Sequence, residues 1–282
     1  MKFGVTMFVT DYAMRVDELA RALEERAFES LWLPEHTHIP ASRKSPWPGG
    51  PSLPKEYWHT LDPFVALTAA AAATTRLKLG TGICLIVERD PIVTAKEVAS
   101  LDLLSNGRFF FAIGGGWNAE EMANHGTDFS TRFRVVRERV LAMKEIWTKE
   151  AAEFHGEFVN FDPIWSYPKP VQKPHPPIFL GNNHANARQR VVEFCDGWFP
   201  IASRIADLAE AVADLRRRAE QAGRDPKSIS VSVFFAKPEE SAIREYMRIG
   251  VERAIFNVPS ADRDSTLPAL DKYAALAKTF GG

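Results

Sequence analysis

The sequence predicts an α/β protein built as a (β/α)8 TIM barrel. Short apolar runs alternate with longer helical patterns along the chain, and this alternation predicts parallel strands joined by helices. Eight strand–helix units fit into 282 residues, which is the usual size of one barrel domain. We therefore expect a single domain over residues 1–282. A doubly wound open sheet would produce the same alternation, because closure is not visible in a linear sequence.

The first half of the chain supplies four of the predicted strands and the second half supplies the other four. The first four predicted strands cover 2–8, 30–34, 77–83 and 108–114. The other four lie near 178–180, 197–200, 229–235 and 254–258. One helical pattern begins at Val16, and three others cover 66–73, 91–105 and 132–147. The helix at 91–105 opens with a proline, which suits the first turn of a helix.

Two insertions interrupt this regular order. Residues 35–60, after the second strand, are rich in proline, glycine and aromatic residues, and such long loops in compact domains usually serve a function. Residues 152–177, after the fourth strand and its helix, contain "GEFVNFD", which predicts a short hairpin, and a proline-rich extended stretch. The predicted barrel therefore carries insertions after strands 2 and 4.

The composition favours a small molecule as the partner. The formal net charge is −1 with no long run of either sign, which argues against nucleic acid and membrane surfaces as partners. Cys84 and Cys195 lie far apart in no metal-like spacing. The N-terminus lacks a signal-peptide pattern, and no run is long enough to cross a bilayer. We expect a soluble, cytoplasmic protein.

Polar and glycine-rich segments follow consecutive predicted strands at the end where barrel active sites are built. Glu35 and His36 follow the second strand, and a histidine beside a carboxylate suits acid–base chemistry. "GGGWNAEEM" starts at Gly114, where glycines let the backbone approach a ligand closely. Asn118 is a candidate helix cap with Glu121 as its reciprocal partner. "GNN" at 181–183 precedes another helix, whose N-terminal amides can bind phosphate.

These segments together resemble the luciferase-like monooxygenase superfamily, and within it the oxidoreductases that use coenzyme F420, a 5-deazaflavin. The matching stretches are "ALEERAFESLWLPEHTHIP", "LKLGTGICLIVERDPIVTAKEVASLDLLSNGRFFFAIGGGWNAEEM", "FRVVRERVLAMKEIW" and "PIFLGNNHANARQRVVEFCDGWFP". The resemblance implies a TIM barrel that binds F420 at the C-terminal face, often as a homodimer. It also implies hydride transfer between the deazaflavin and an organic substrate.

The resemblance also assigns roles to particular positions. Glu35 and His36 would be catalytic and face the deazaflavin ring. Gly82-Ile83 would form a bulge in the third strand, often with a cis peptide bond. The other implied cofactor-binding residues are Gly114, Gly115, Gly116, Trp117, Glu120, Gly181, Asn182 and Asn183. Trp117 stands where the F420-dependent sugar-phosphate dehydrogenases carry a glutamate proton carrier, so a sugar phosphate is not the expected substrate.

Three alternatives compete with the F420 hypothesis, and one of them is a non-catalytic ligand-binding barrel, which would have the same sequence features and differ only in lacking turnover. A luciferase-like monooxygenase that uses flavin mononucleotide (FMN) would share the scaffold but perform oxygen chemistry, which a deazaflavin does not support. A metal-dependent hydrolase is suggested by His36 and His38 in "EHTH", although a complete ligand set is missing, so we expect no metal. In either flavin-dependent case, Trp47, Tyr57 and Trp58 of the insertion are candidates for the substrate wall.

Overall fold

Eight parallel strands close into a barrel in the computed structural model, which describes residues 1–281. The strands are β1 (Lys2–Thr6), β2 (Ser30–Leu33), β3 (Lys78–Thr81), β4 (Phe109–Ile113), β7 (Ile178–Leu180), β8 (Gly197–Trp198), β9 (Ser230–Val233) and β10 (Arg253–Asn257). They are hydrogen-bonded in the order β1-β10-β9-β8-β7-β4-β3-β2. Closure confirms the predicted barrel and excludes the open doubly wound sheet.

Helices surround this barrel and connect its strands. They are α1 (Val16–Glu25), α2 (Glu56–His59), α3 (Pro63–Ala73), α4 (Pro91–Leu104), α5 (Ala119–Asn124), α6 (Arg132–Thr148), α7 (Ala185–Phe194), α8 (Leu208–Gln221), α9 (Glu240–Arg248) and α10 (Arg263–Lys278). Among the residues described, no helix has the length and apolar character that a membrane span requires.

The start of α4 shows how local chemistry sets helix boundaries. The Asp90 side chain accepts hydrogen bonds of 2.9 Å from the backbone amides of Ile92 and Val93. Pro91 occupies the first helical position, where its missing amide proton costs nothing. The predicted helix start is therefore fixed by residues that are visible in the sequence.

Both predicted insertions lie in connections between consecutive barrel strands. The first contains α2 and connects β2 to α3. The second contains the antiparallel hairpin β5 (Ala151–His155) and β6 (Asn160–Trp165), which confirms the predicted hairpin. The first insertion reaches the C-terminal end of the barrel, so it can form part of a site there.

Aromatic side chains fill the barrel interior. Trp32 is buried and lies 4.8 Å from Phe199 and 5.6 Å from Phe110, measured between ring centroids. Phe199 in turn lies 4.9 Å from Phe234. These packed rings fill the barrel interior, as expected for a packed barrel core. Phe199 and Phe234 also line the cavity described next.

Candidate active site

A cavity of about 580 Å³ opens at the C-terminal end of the barrel. It is large enough for a cofactor or a drug-sized ligand. Twelve of the predicted site residues line it, which are Glu35, His36, Trp47, Tyr57, Gly82, Ile83, Gly115, Gly116, Trp117, Gly181, Asn182 and Asn183. Residues that are far apart in the sequence therefore lie together at the C-terminal end of the barrel, as predicted.

Three predicted residues do not line this cavity. Gly114 is buried, and its amide donates to the Cys84 carbonyl at 3.0 Å, so it supports the loop from behind. A hydrogen bond with the Ser45 hydroxyl lowers the pKa of Glu120, which places this carboxyl beside the first insertion. Trp58 is 49% exposed and packs beside His59. The structure gives these three residues no contact with the cavity.

His36 is paired with Glu121 rather than with its neighbour Glu35. Nδ1 of His36 lies 2.8 Å and 3.0 Å from the two carboxylate oxygens of Glu121. The side chains are 6% and 1% exposed. An ionised carboxylate only accepts hydrogen bonds, so Nδ1 carries the proton and Nε2 is the free nitrogen. The expected pairing of Glu35 with His36 is wrong, because the Glu35 carboxylate is bound to the Leu85 amide and to Arg89 instead.

Glu35 instead anchors the loop that follows β3. Its carboxylate accepts a hydrogen bond of 2.6 Å from the Leu85 amide and another of 2.6 Å from Nε of Arg89. Arg89 also contacts Asp62 and Glu97. With both oxygens engaged in this way, Glu35 positions the cavity wall, and the structure gives its carboxylate no free oxygen for acid–base chemistry.

The loops after β3 and β4 form one wall of the cavity. The peptide bond between Gly82 and Ile83 is cis, as the resemblance implies. Gly116 has a φ of +64°, a left-handed conformation that favours glycine. Asn118 caps α5 by accepting a hydrogen bond of 3.3 Å from the Glu121 amide. The Glu121 carboxylate does not complete a reciprocal cap, because it is bound to His36.

The loop after β7 differs in one respect from the expected phosphate site. The Gly181 amide donates to the Ile113 carbonyl at 2.8 Å, so it is not available to a ligand. Asn182 accepts a hydrogen bond from the His184 amide, and Asn183 accepts one from the Ile201 amide. Within residues 1–281, the amides of Asn182 and Asn183 themselves have no hydrogen-bond partner. These two backbone amides therefore remain available to an anion.

Arg132 also lines the cavity and was not predicted from the sequence. Its guanidinium packs 3.7 Å from the Phe129 ring centroid and 4.5 Å from that of Phe133. Its buried Nε has no hydrogen-bond partner in the part of the chain that the structure describes. Burial lowers the pKa of Arg132, and nearby Arg190 lowers it further. Arg132 begins α6, where its positive charge is unfavourable because this end of the helix dipole is also positive. This unfavourable position is the feature of the sequence that could have indicated a binding residue.

The first insertion covers the cavity with aromatic rings. The Tyr57 ring lies 5.2 Å from His36, 4.6 Å from Phe8 and 5.6 Å from Trp47. The centroid of the Trp117 ring lies 5.8 Å from that of His36, and the two rings meet edge to face. Burial raises the pKa of Tyr57. The histidine therefore faces a largely apolar space, which suits a planar or apolar ligand.

The histidines of the "EHTH" segment do not converge. His36 points to Glu121, whereas Nδ1 of His38 lies 2.9 Å from the Thr37 hydroxyl and Nε2 lies 2.8 Å from the Asn124 amide nitrogen. Across residues 1–281, no group of three or more His, Cys, Asp or Glu side chains is placed to hold a metal ion. The hydrolase hypothesis therefore has no ligand set in this region.

Comparison with known protein families gives one match over almost the whole chain. A family model described as luciferase-like monooxygenase matches residues 1–278. An uncharacterised protein of Mycobacterium tuberculosis is 37% identical over 281 residues, which is 98% of each chain. An FMNH2-dependent dimethylsulfone monooxygenase of Pseudomonas putida is 32% identical over 169 residues, 59% of this chain and 46% of its own.

Another curated relative uses the deazaflavin. An F420-dependent hydroxymycolic acid dehydrogenase of Mycobacterium tuberculosis is 28% identical over 232 residues, 80% of this chain and 60% of its own. The same fold occurs in monooxygenase RslO1 from Streptomyces bottropensis, with a TM-score of 0.82, 20% identity and full coverage of both chains. It also occurs in an F420-dependent tetrahydromethanopterin reductase from Methanopyrus kandleri, with a TM-score of 0.74, 17% identity and 97% coverage of both.

Proposed function

The chain belongs to the luciferase-like monooxygenase family, and from this premise we propose that it is an F420-dependent oxidoreductase acting on a small organic substrate. Members of this family include F420-dependent oxidoreductases and FMN-dependent monooxygenases. The observation that carries the proposal is the His36–Glu121 pair at the cavity wall. Hydride transfer to or from an alcohol must also move a proton, and this pair can move it.

The residues of the cavity fit such a cofactor. The backbone amides of Asn182 and Asn183, which lack partners in the described chain, would hold the phosphate together with Arg132. Nη1 of Arg132 donates to the Phe129 carbonyl at 2.7 Å, but its Nε has no partner there. Ile83 and Trp117 would lie along the ring. When bound, the deazaflavin supplies hydride chemistry but not the oxygen adduct of a monooxygenase.

The chain's own residues supply the acid–base step. Nε2 of His36 accepts the proton of a substrate hydroxyl during oxidation, or returns one to a carbonyl oxygen during reduction. Glu121 holds the imidazole at 2.8 Å and so fixes its orientation at the cavity wall. Trp47 and Tyr57 exclude water from the substrate side, which favours an apolar or planar substrate.

An FMN-dependent monooxygenase is the second candidate function. It is favoured by the 32% identity to the dimethylsulfone monooxygenase and by full coverage of RslO1 in the fold comparison. The same phosphate donors would serve FMN. The two functions differ in the cofactor, so cofactor preference decides between them.

Parallel fluorescence titrations with F420 and FMN test the proposal. We expect tighter binding of F420, followed by its reduction when secondary alcohols are added. In the same titrations, Arg132→Met tests whether Arg132 contacts the cofactor phosphate. Arg134→Met is the matched control, because Arg134 lies on the same helix and pairs with Glu157 at the surface. Tighter binding of FMN, with oxygen consumption in the presence of reduced flavin, would contradict the F420 proposal and support the monooxygenase.

We further propose that the protein forms a homodimer through α3 and α4. Every residue of α3 except Thr68 is apolar, yet Val65 is 71% exposed. Val65, Val93 and Leu104 lie along one groove between these helices. Exposed apolar patches of this kind are typical of interfaces. Analytical ultracentrifugation should show a dimer that Val65→Glu dissociates, whereas a monomeric parent protein would refute the assembly.

A further inference from the structure

Arg204 is a cation at the cavity wall that the proposed function does not use. It ends the short helical turn Ala202–Arg204 that follows β8, and its amide donates to the Ile201 carbonyl at 3.0 Å. Arg204 lines the cavity together with Ile201 and Tyr57. A charged side chain at the wall of a largely apolar cavity marks a position where a ligand can be recognised.

No carboxylate of the described chain neutralises Arg204. Within residues 1–281 its guanidinium forms no salt bridge and donates no hydrogen bond. Asp207, the nearest acidic residue in the sequence, caps α8 instead, because its side chain accepts a hydrogen bond of 2.9 Å from the Glu210 amide. Glu35, which also lines the cavity, is bound to Arg89. The guanidinium therefore keeps its hydrogen-bond donors for a ligand.

Arg204 lies on the side of the cavity where His36 is found, away from Arg132. The centroid of the Tyr57 ring is 5.2 Å from that of His36. Burial raises the pKa of Tyr57, and the positive charge of Arg204 acts on it in the opposite direction. Arg132 packs instead beside Gly115 after β4, where a Cβ atom would lie 3.5 Å from Cγ of Arg132. Since β7 separates β4 from β8 in the barrel, the two cations come from different strand ends.

Phe235 provides an aromatic surface on the next strand of the barrel. It follows β9, which is hydrogen-bonded to β8, and it lines the cavity. Its φ is +51°, in the left-handed region that bulky residues rarely adopt. Its ring centroid lies 4.2 Å from that of Phe234. Strained backbone of this kind is typical of binding sites, so the ring is a surface on which an apolar ligand can pack.

We propose that the substrate is an organic acid, whose carboxylate is bound by Arg204 and whose apolar or aromatic body packs against Phe235. The alcohol or ketone that reacts near His36 rests on the proposed function, whereas the carboxylate rests on Arg204 alone. The carboxylate is a recognition group and is unchanged by the reaction. A guanidinium binds a carboxylate through two parallel hydrogen bonds. A neutral substrate of the same shape lacks this charge-assisted contact, so it binds more weakly.

Two probes of equal size test this recognition in the chain without cofactor. Hydrocinnamate carries a carboxylate, and hydrocinnamamide is its neutral counterpart. Trp47 and Trp117 line the cavity, so quenching of tryptophan fluorescence measures binding. At neutral pH we expect the parent protein to bind the acid about ten-fold more tightly than the amide. Arg204→Met should abolish this preference, whereas Phe235→Leu should keep it and weaken the binding of both probes about three-fold or more.

Arg217→Met is the matched control, because Arg217 lies on α8, pairs with Glu210 at the surface and carries the same charge. This variant should keep the preference for the acid. Equal affinity of the parent for the two probes, or an unchanged preference in Arg204→Met, would overturn the proposal. Loss of the preference in Arg132→Met alone would also overturn it, because the carboxylate would then occupy the phosphate side of the cavity.

Titration with F420 separates a substrate role of Arg204 from a cofactor role. Arg204→Met should bind F420 as tightly as the parent protein does. Weaker binding of F420 by this variant would assign Arg204 to the cofactor and overturn its role in substrate recognition. Failure of the parent protein to bind F420 would overturn the proposed cofactor while leaving the preference for the acid standing, so the two failures are distinguishable.

Discussion

The burial of Glu88 predicts how folding stability depends on pH, and Glu88→Gln is the perturbation that isolates this dependence. Glutamine has the shape of the protonated acid but does not ionise. The pKa of Glu88 is raised from 4.5 to about 9 in the folded protein. Between these two values the unfolded chain has lost the proton that the folded protein keeps. Stability therefore falls as the pH rises through this window.

The size of the effect follows from the pKa shift. Each pH unit between the two values costs about 1.4 kcal/mol, because that is the free energy of one pKa unit. At pH 7 the penalty is roughly 3 kcal/mol, and at pH 5 it is below about 1 kcal/mol. Glu88→Gln removes the penalty at both values. Relative to the parent, the variant should gain roughly 2 to 3 kcal/mol between pH 5 and pH 7.

Urea unfolding of the parent and the variant at several pH values measures this gain. Other titrating groups are common to both proteins, so they cancel in the difference between the two free energies of unfolding. Glu153→Gln on the hairpin is a suitable control, because its carboxylate is exposed and its removal should leave the pH dependence unchanged. A difference between Glu88→Gln and the parent that stays constant from pH 5 to pH 7 would refute the argument that Glu88 is buried in its protonated form.

Three further predictions concern the cavity. His36→Ala should abolish most of the hydride transfer in a stopped-flow assay and should also lower the melting temperature, because the buried Glu121 carboxylate loses its partner; unchanged turnover would place the acid–base group elsewhere. Gly181→Val should weaken cofactor binding, because a Cβ atom there would lie 2.8 Å from Cγ2 of Ile83 and push the cavity wall. If circular dichroism shows a folded variant that binds as tightly as the parent, this wall does not contact the cofactor. Arg132→Met should retain the packing but lose the charge, raising the cofactor Kd about ten- to a hundred-fold. An unchanged Kd in fluorescence titration would assign the phosphate to other donors.

The sequence predicts the barrel because its pattern is repeated and local. Asp90 and Pro91 define a helix start without help from the rest of the molecule, and each strand is an apolar run between turn residues. Strand ends also predict the position of the cavity, since parallel strands all finish at the same face of the barrel. Closure depends on contacts between β1 and β10, which lie about 250 residues apart and leave no local signal.

The directions of side chains could not be predicted in the same way. Glu35 and His36 are adjacent in the sequence, but the partner of Glu35, Arg89, lies after β3, whereas the partner of His36, Glu121, lies in α5. The Gly181 amide is taken by Ile113 because β4 and β7 are neighbours in the barrel, although they are separated by an insertion in the chain. Such pairings follow from tertiary packing, which a single sequence does not show.

The buried carboxyl groups of Glu88 and Glu121 have different surroundings. Glu121 contacts the His36 imidazole, whereas Oε2 of Glu88 has no hydrogen-bond partner in the described chain, and burial together with the charge of Glu121 raises the pKa of Glu88 to about 9. A structural core could replace Glu88 with an apolar residue and avoid the penalty at neutral pH. Glu88 therefore lowers the stability of the fold at neutral pH, and the comparison with Glu88→Gln measures by how much.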